Sequence, residues 1–234
     1  MLLEVIALTE EDAKTASRFG ADRIELVSVI EEGGLTPEAD VIRQVAEVCT
    51  IPMHIMIRSH SRSFHYSEAE IAEMIRSIRD IRAMQLPKLG AFVLGVLTVD
   101  QTVNEEHLGR LLEAAGDVPV TFHRAFDEVR DQSEALETLM SYPQVRTVLT
   151  SGGAPNVLHA SERIAELVQR AGARGSAIEI LAGSGLIVEA VAGFVEATQV
   201  RAVHFGSGVR VNGSSTAPID PTRLSDLRAI LDQR

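Results

Sequence analysis

The 234-residue sequence predicts a closed (β/α)8 TIM barrel, a single domain over residues 1–234. Three observations carry this. Eight short apolar runs recur at spacings of roughly 20 to 40 residues, as βα units require. Several of these runs are apolar without alternation, the pattern of parallel strands buried on both faces. The first run leads into Ala7-Leu8-Thr9-Glu10 with no glycine, whereas the competing doubly wound open sheet often carries a glycine-rich fingerprint there.

The predicted strands, in order, are Leu2 to Leu8, Arg23 to Val27, Pro52 to Arg58, Ala91 to Leu97, Val118 to Phe122, Val145 to Leu149, Ala177 to Leu181 and Arg201 to Phe205. Between them the period changes to that of a helix. Thr9 before Glu10, Glu11 and Asp12 is a helix start, because acidic side chains suit the positive end of the helix dipole. Gly20 closes that helix, and Gly116 and Gly172 fall near the ends of two others. Ser67 with Glu70 three residues later is a capping box. It opens a helix over Glu68 to Met84, with Ile71, Ile75, Ile78 and Arg82 on one line and Met74 and Ile81 beside it.

Composition narrows the function. The chain is 45% hydrophobic and 24% charged, enough apolar material for a sizeable core. No run of apolar residues is long enough to span a membrane, and Met1 to Leu8, interrupted by Glu4, reads as a strand rather than a signal peptide. Thirty-three acidic residues against 22 basic give a formal net charge of −11. That field repels phosphate backbones and anionic lipid, so neither nucleic acid nor membrane is an expected partner. The single cysteine, Cys49, builds no internal disulfide, and a cytoplasmic location is expected.

In a barrel the functional face is the C-terminal end of the strands. Strand 2 carries Glu25 and runs into Glu31-Glu32-Gly33-Gly34-Leu35-Thr36-Pro37, and strand 3 ends in Arg58. Strand 5 ends in His123-Arg124-Ala125-Phe126-Asp127. His123 offers a general acid or base and Arg124 an anion clamp. Alternation sends the two to opposite faces unless the strand has ended; a structural pairing of Arg124 with Asp127 is the competing reading. Glu4 and Glu25 sit inside apolar strands, so each must be paired or protonated, with Arg23, Arg58 and Arg124 as available partners. A pair of site carboxylates, one with a raised pKa, is the sharper expectation. Strands 6, 7 and 8 end in Thr150-Ser151-Gly152-Gly153, Ala182-Gly183-Ser184-Gly185 and His204-Phe205-Gly206-Ser207-Gly208. There Ser151, Gly152, Gly183, Gly185, Gly206 and Ser207 are candidate anion-binding positions, because glycine lets backbone N–H groups approach a phosphate.

Met53, His54, Met56, His60 and His65 raise the question of a metal, since thioether and imidazole suit Cu(I). Met53 and Met56 have opposite parity on a strand, so core methionines and solvated histidines are expected, with no metal-ligating residue assigned. Lys14 and Lys88, the only lysines, sit at no strand end, which disfavours a Schiff base.

These residues resemble the CutC family of copper homeostasis barrel proteins over nearly the whole chain. The resemblance lies in Gly20-Ala21-Asp22-Arg23-Ile24-Glu25-Leu26, Glu32-Gly33-Gly34-Leu35-Thr36-Pro37, Val120-Thr121-Phe122-His123-Arg124-Ala125-Phe126-Asp127 and Val148-Leu149-Thr150-Ser151-Gly152. It implies a (β/α)8 barrel, a cytoplasmic homo-oligomer and copper ion binding; no cofactor is legible otherwise. Proposed copper-binding cysteines of some relatives match Ile6 and Val27, which ligate no metal, and Cys49 lies on the second helix. The family's Arg-Pro-Arg-Gly-Gly-Asp-Phe loop stands here as Arg58-Ser59-His60-Ser61-Arg62-Ser63-Phe64.

Three function classes follow. One is a copper-homeostasis protein. A second is a barrel enzyme acting on a small anionic or phosphorylated metabolite through Glu25, Arg58, His123 and Arg124, with Glu4 and Asp127 in support. The third is a non-catalytic binding barrel. In the second class Arg58 and His123 share the pocket mouth, and Arg58→Ala weakens anion binding while leaving the fold nearly intact.

Overall fold

Residues 1–173, 175 and 177–233 are described by a computed structural model. The strands are β1 (Leu2–Ala7), β2 (Arg23–Leu26), β3 (Met53–Met56), β4 (Leu89–Leu94), β5 (Val120–Phe122), β6 (Val145–Thr150), β7 (Glu179–Ala182) and β8 (Ala202–Phe205). All pair in parallel with their sequence neighbours, and β1 pairs with β8 to close the barrel. The helices are α1 (Glu10–Arg18), α2 (Ala39–Val48), α3 (Glu68–Ala83), α4 (Glu105–Ala115), α5 (Gln132–Met140), α6 (Ser161–Ala173), α7 (Val188–Thr198) and α8 (Pro221–Leu231). Each follows the strand of the same number. Among the described residues no helix is long and apolar enough to cross a membrane.

All eight expected strands are present, with shifted ends. β3 stops at Met56, two residues before Arg58, whose backbone N–H turns instead to the Thr36 hydroxyl at 2.8 Å. β4 starts at Leu89 and stops at Leu94, because Leu97 leaves the ladder and donates to the Phe64 carbonyl. Register shifts at Met53/His54 and Val120/Thr121 shorten the regular ladders further.

The helix signals act as read. Thr9 caps α1 by accepting from the Asp12 N–H. Ser67 and Glu70 form the reciprocal capping box of α3, whose buried face is Ile71, Met74, Ile78 and Ile81. Arg82 on the expected line is exposed. Gly116 is the C-cap of α4 and Gly172 the last residue but one of α6, near the helix ends as read.

Two apolar regions position the site. Outward strand residues such as Leu3, Val5, Ile24, Leu26, Ile55 and Phe92 pack under the helices in the main core. Inside the barrel, Leu2, Leu149, Leu181 and Ala202 form one cluster, and Ile6, Val27, Met56 and Val93 another towards the C-terminal ends of the strands. On β1, Glu4 stands between Leu2 and Ile6, so the two plugs enclose a belt of polar side chains.

Candidate active site

The belt is set by register. Glu4 on β1 is the Cα partner of Arg23 on β2 and of His204 on β8, so three charged or titratable side chains meet inside the barrel. Glu4 is fully buried. One of its oxygens accepts from Arg23 Nε at 2.6 Å and the other lies 2.8 Å from His204 Nδ1. His54 Nδ1 is 3.4 Å from Glu4 Oε2 and 3.4 Å from the Thr121 hydroxyl. Burial pushes the Glu4 carboxyl up, but the Arg23 guanidinium, the His204 hydrogen bond and the nearby His54 outweigh it and hold the group well below the usual carboxylate range. Glu4 is a fixed anion.

Glu25 is the opposite case. It is buried, its Oε2 lies 3.8 Å from His204 Nε2, and its Oε1 has no protein partner. Burial, reinforced by the Glu4 charge and opposed by His204 and Arg23, pushes its pKa up to about 7. His204 is pulled down by burial, but Glu25 and the hydrogen-bonded Glu4 carboxylate more than reverse this, so its pKa is raised. Burial lowers His54 to about 4, so its ring is neutral. The two strand carboxylates thus have opposite pKa shifts, Glu4 lowered and Glu25 raised. Of the three arginines considered as their partners only Arg23 serves, and it pairs with Glu4. His54, expected among solvated histidines, is a buried member of the belt.

Above the belt a cavity of about 610 Å³ opens at the C-terminal ends of the strands. Glu25 and His204 line it from below, and Ile6, Val27, Met56 and Phe64 supply apolar wall. His123 and Arg124 both line it, because β5 ends at Phe122 and the chain turns into a 3-10 helix at Arg124–Asp127. His123 Nδ1 accepts the Ala125 N–H at 3.2 Å, which places the ring proton on Nε2, and that buried atom has no partner. Burial, with the Arg58 charge beside it, lowers the pKa of His123 to about 3. The expected general acid or base is therefore a neutral hydrogen-bond donor. Its ring reaches this position because residue 95 is glycine: a Cβ there would lie 2.5 Å from His123 Nδ1.

Arg58 also lines the cavity, but its terminal nitrogens are occupied. One faces the carbonyls of Glu32, Gly33 and Gly34 at 3.4–3.5 Å, and the other donates to the Ser61 carbonyl at 3.3 Å. The guanidinium stacks 4.5 Å over the Phe64 ring, whose other neighbour is the His123 ring at 4.9 Å. The expected bidentate anion clamp is a bolt between two loops.

Asp127 is likewise saturated. It accepts from Arg124 Nε, the Thr150 hydroxyl, and the N–H groups of Ser151 and Gly153, all within 2.5–3.1 Å. The Arg124–Asp127 pairing weighed from sequence exists, and it ties the end of β5 to the end of β6. Arg124 keeps about half of its side chain exposed at the cavity mouth.

The expected anion-binding positions divide. Ser151, Gly152 and Gly183 do not line the cavity. Their N–H groups are taken by Asp127, the Thr150 hydroxyl and the Thr150 carbonyl. Gly185, Gly206 and Ser207 do line it, and among the described residues no acceptor takes their N–H groups. Arg210, not singled out from sequence, lines the cavity while its guanidinium grips Asp12 at 2.9 Å and the Ile6 carbonyl at 2.9 Å. His204 was visible only as a strand-end residue. The signal that could have promoted it is parity, since it alternates with Ala202 and Gly206 on the inward face.

A copper ion finds no suitable donor set. Ile6 and Val27 pack with Met56 and Val93 in the apolar wall. Cys49 is buried just before β3, at the opposite end of the barrel, with its thiol donating to the Ile51 carbonyl. Among the described residues no three His, Cys, Asp or Glu side chains are grouped to hold a metal.

A model of the CutC family matches residues 1–209. CutC-family proteins of Salmonella enteritidis and Salmonella typhimurium are each 42% identical over 208 residues, 89% of this chain and 80% of theirs. The solved structure of a proposed copper homeostasis protein CutC from Streptococcus agalactiae superposes with a TM-score of 0.78 at 29% identity, over 87% of this chain and 97% of that one. A phosphoribosyl anthranilate isomerase from Thermococcus kodakaraensis shares the fold, with a TM-score of 0.61 at 17% identity over 100% of this chain and 99% of that one.

Proposed function

The chain belongs to the CutC family, and we propose that its barrel takes up a small organic anion and moves a proton in it, with Glu25 as the acid–base group. One observation carries this reading. Glu25 presents a buried, unpartnered carboxylate oxygen in the cavity, and its pKa is raised to about 7. A carboxyl balanced near neutrality both takes and returns a proton at working pH. A structural carboxylate would be paired on both oxygens, as Glu4 and Asp127 are.

Arg124 at the mouth and the unengaged amides of Gly185, Gly206 and Ser207 give an anionic group its place. The apolar wall suits a carbon skeleton. The copper role carried in the name of the Streptococcus agalactiae relative has no matching donor set among these residues, so no step is routed through a metal.

The test is a thermal-shift screen of phosphorylated and carboxylated metabolites against the full chain, followed by calorimetric titration of each hit. A ligand at about 100 times its Kd stabilises the fold by about 2.7 kcal/mol. The expected hits lose affinity in Arg124→Ala and keep it in Glu25→Gln. A screen in which no anion binds better than inorganic sulfate sinks the reading.

A further inference from the structure

We infer that the cavity is built for a 1,2-proton shift in an α-hydroxycarbonyl compound that carries an anionic group, with Glu25 acting at carbon, His204 acting at oxygen and Glu4 positioning His204. This rests on the reading of the cavity as an organic-anion site and adds the reaction and the substrate class.

The geometry separates the roles. His204 Nδ1 is held by Glu4 at 2.8 Å, and Glu4 is itself fixed by Arg23 at 2.6 Å. A ring tied at Nδ1 has one free nitrogen, and here Nε2 faces Glu25 at 3.8 Å inside the cavity lining. The Glu25 carboxylate and the His204 ring nitrogen thus stand side by side at the cavity floor, as serving a carbon and the oxygen on its neighbour requires. The unpartnered Oε1 of Glu25 leaves one carboxylate oxygen for substrate. Lysine and cysteine are missing from the cavity lining, so no amine or thiol nucleophile competes with proton transfer.

The step balances without a co-reactant. Ionised Glu25 takes the proton from the hydroxyl-bearing carbon. The C–H electron pair becomes a C=C bond, and the carbonyl π pair goes to oxygen, which takes a proton from His204 Nε2. The result is an enediol with Glu25 protonated and His204 neutral. In the second half His204 removes the other hydroxyl proton, that oxygen becomes the carbonyl, and Glu25 returns its proton to the neighbouring carbon. The substrate is isomerised and both residues regain their starting states.

His123 Nε2–H, buried and unpartnered, adds a neutral donor to the same cavity. Neutral imidazole suits an oxygen that gains charge.

The experiment is deuterium wash-in from D2O, followed by proton NMR. The full chain is incubated with dihydroxyacetone phosphate, ribulose 5-phosphate or hydroxypyruvate, and with dihydroxyacetone as the uncharged comparison. Exchange at the carbon beside the carbonyl is expected with at least one anionic probe and not with dihydroxyacetone. Glu25→Gln lowers the rate about a thousandfold, the scale of a lost general base, while calorimetric binding of the probe persists. His204→Gln lowers it comparably. Glu4→Gln lowers kcat with KM unchanged and shifts the His204 Nδ1–H resonance, and Glu4→Asp restores part of both; a merely structural Glu4 would move neither selectively. Equal exchange in wild type and Glu25→Gln marks a contaminating isomerase and overturns the inference. Probes that bind without exchange overturn the proton shift and leave the anion site standing, whereas no binding by any probe overturns both.

Discussion

Glu25 keeps its proton in the folded chain at pH values where the unfolded chain has already released it. Its pKa is raised from 4.5 to about 7 by burial. A carboxyl raised on folding stabilises the fold while protonated, so that contribution declines as pH rises from about 4.5 to about 7 and is gone above it. The full span is about 3 kcal/mol. His54 and His123, both lowered by burial, tilt stability the other way as pH falls below 6.5. The informative quantity is therefore the difference between wild type and Glu25→Gln. Urea denaturation at pH 5 and pH 7.5 is expected to show Glu25→Gln gaining on wild type at the higher pH; parallel curves would show that Glu25 is ionised throughout. Arg58 makes a second prediction at this scale. Its guanidinium is buried and bolts the loop after β2 to the loop after β3. Arg58→Ala is expected to lower stability by about 2–3 kcal/mol, the scale of hydrogen bonds from a charged group, and to speed amide exchange over residues 29–34 and 59–63. Unchanged stability would restore the anion-clamp role read from the sequence.

The loop after β2 holds the clearest strain at the scale of an element. It is pinned at its base by the Ser28–Leu35 bridge, and Val29 takes a left-handed conformation at φ 47. A β-branched residue there costs roughly 1–2 kcal/mol, and Val29 is 45% exposed, so little packing offsets it. Val29→Asn, which tolerates that conformation, is expected to raise stability by about 1 kcal/mol; a loss in thermal denaturation would show that the valine side chain anchors the loop. The strands around this loop were legible because both their faces are buried, so each reads as an apolar run. Their ends were not, since bulges at Met53/His54 and Val120/Thr121 and the departure of Arg58 towards Thr36 depend on neighbours far along the chain. Within the site, Glu4 and Glu25 announced themselves as charges in apolar strands. Their division of labour did not, because it is decided by His204 and Arg23 through register. Asp127 misled as a catalytic candidate because the amides that saturate it belong to Ser151 and Gly153, more than twenty residues on.

The molecule as a whole carries a net charge of −11, yet the largest of its fully buried side chains is an arginine. Arg210, 1% exposed, joins the segment after β8 to Asp12 in the first turn of α1 and to the backbone of β1. This pair works alongside the β1–β8 ladder in closing the barrel. Arg210→Met leaves Asp12 buried with its charge unmatched, and is expected to destabilise the chain by about 3–5 kcal/mol in urea denaturation. A loss below about 1 kcal/mol would show that strand pairing alone holds the seam.

Both carboxylates at that seam are made early and matched late. Glu4 waits 200 residues for His204, and Asp12 waits 198 for Arg210. On the ribosome, then, the nascent chain carries Glu4 without its histidine and Asp12 without its arginine. Arg23 arrives early enough to hold Glu4, but nothing comparable is paired with Asp12 before the last strand. A message cut short before the codon for residue 204 yields a product in which Glu4 keeps Arg23 but loses His204, and Asp12 has no arginine to meet it.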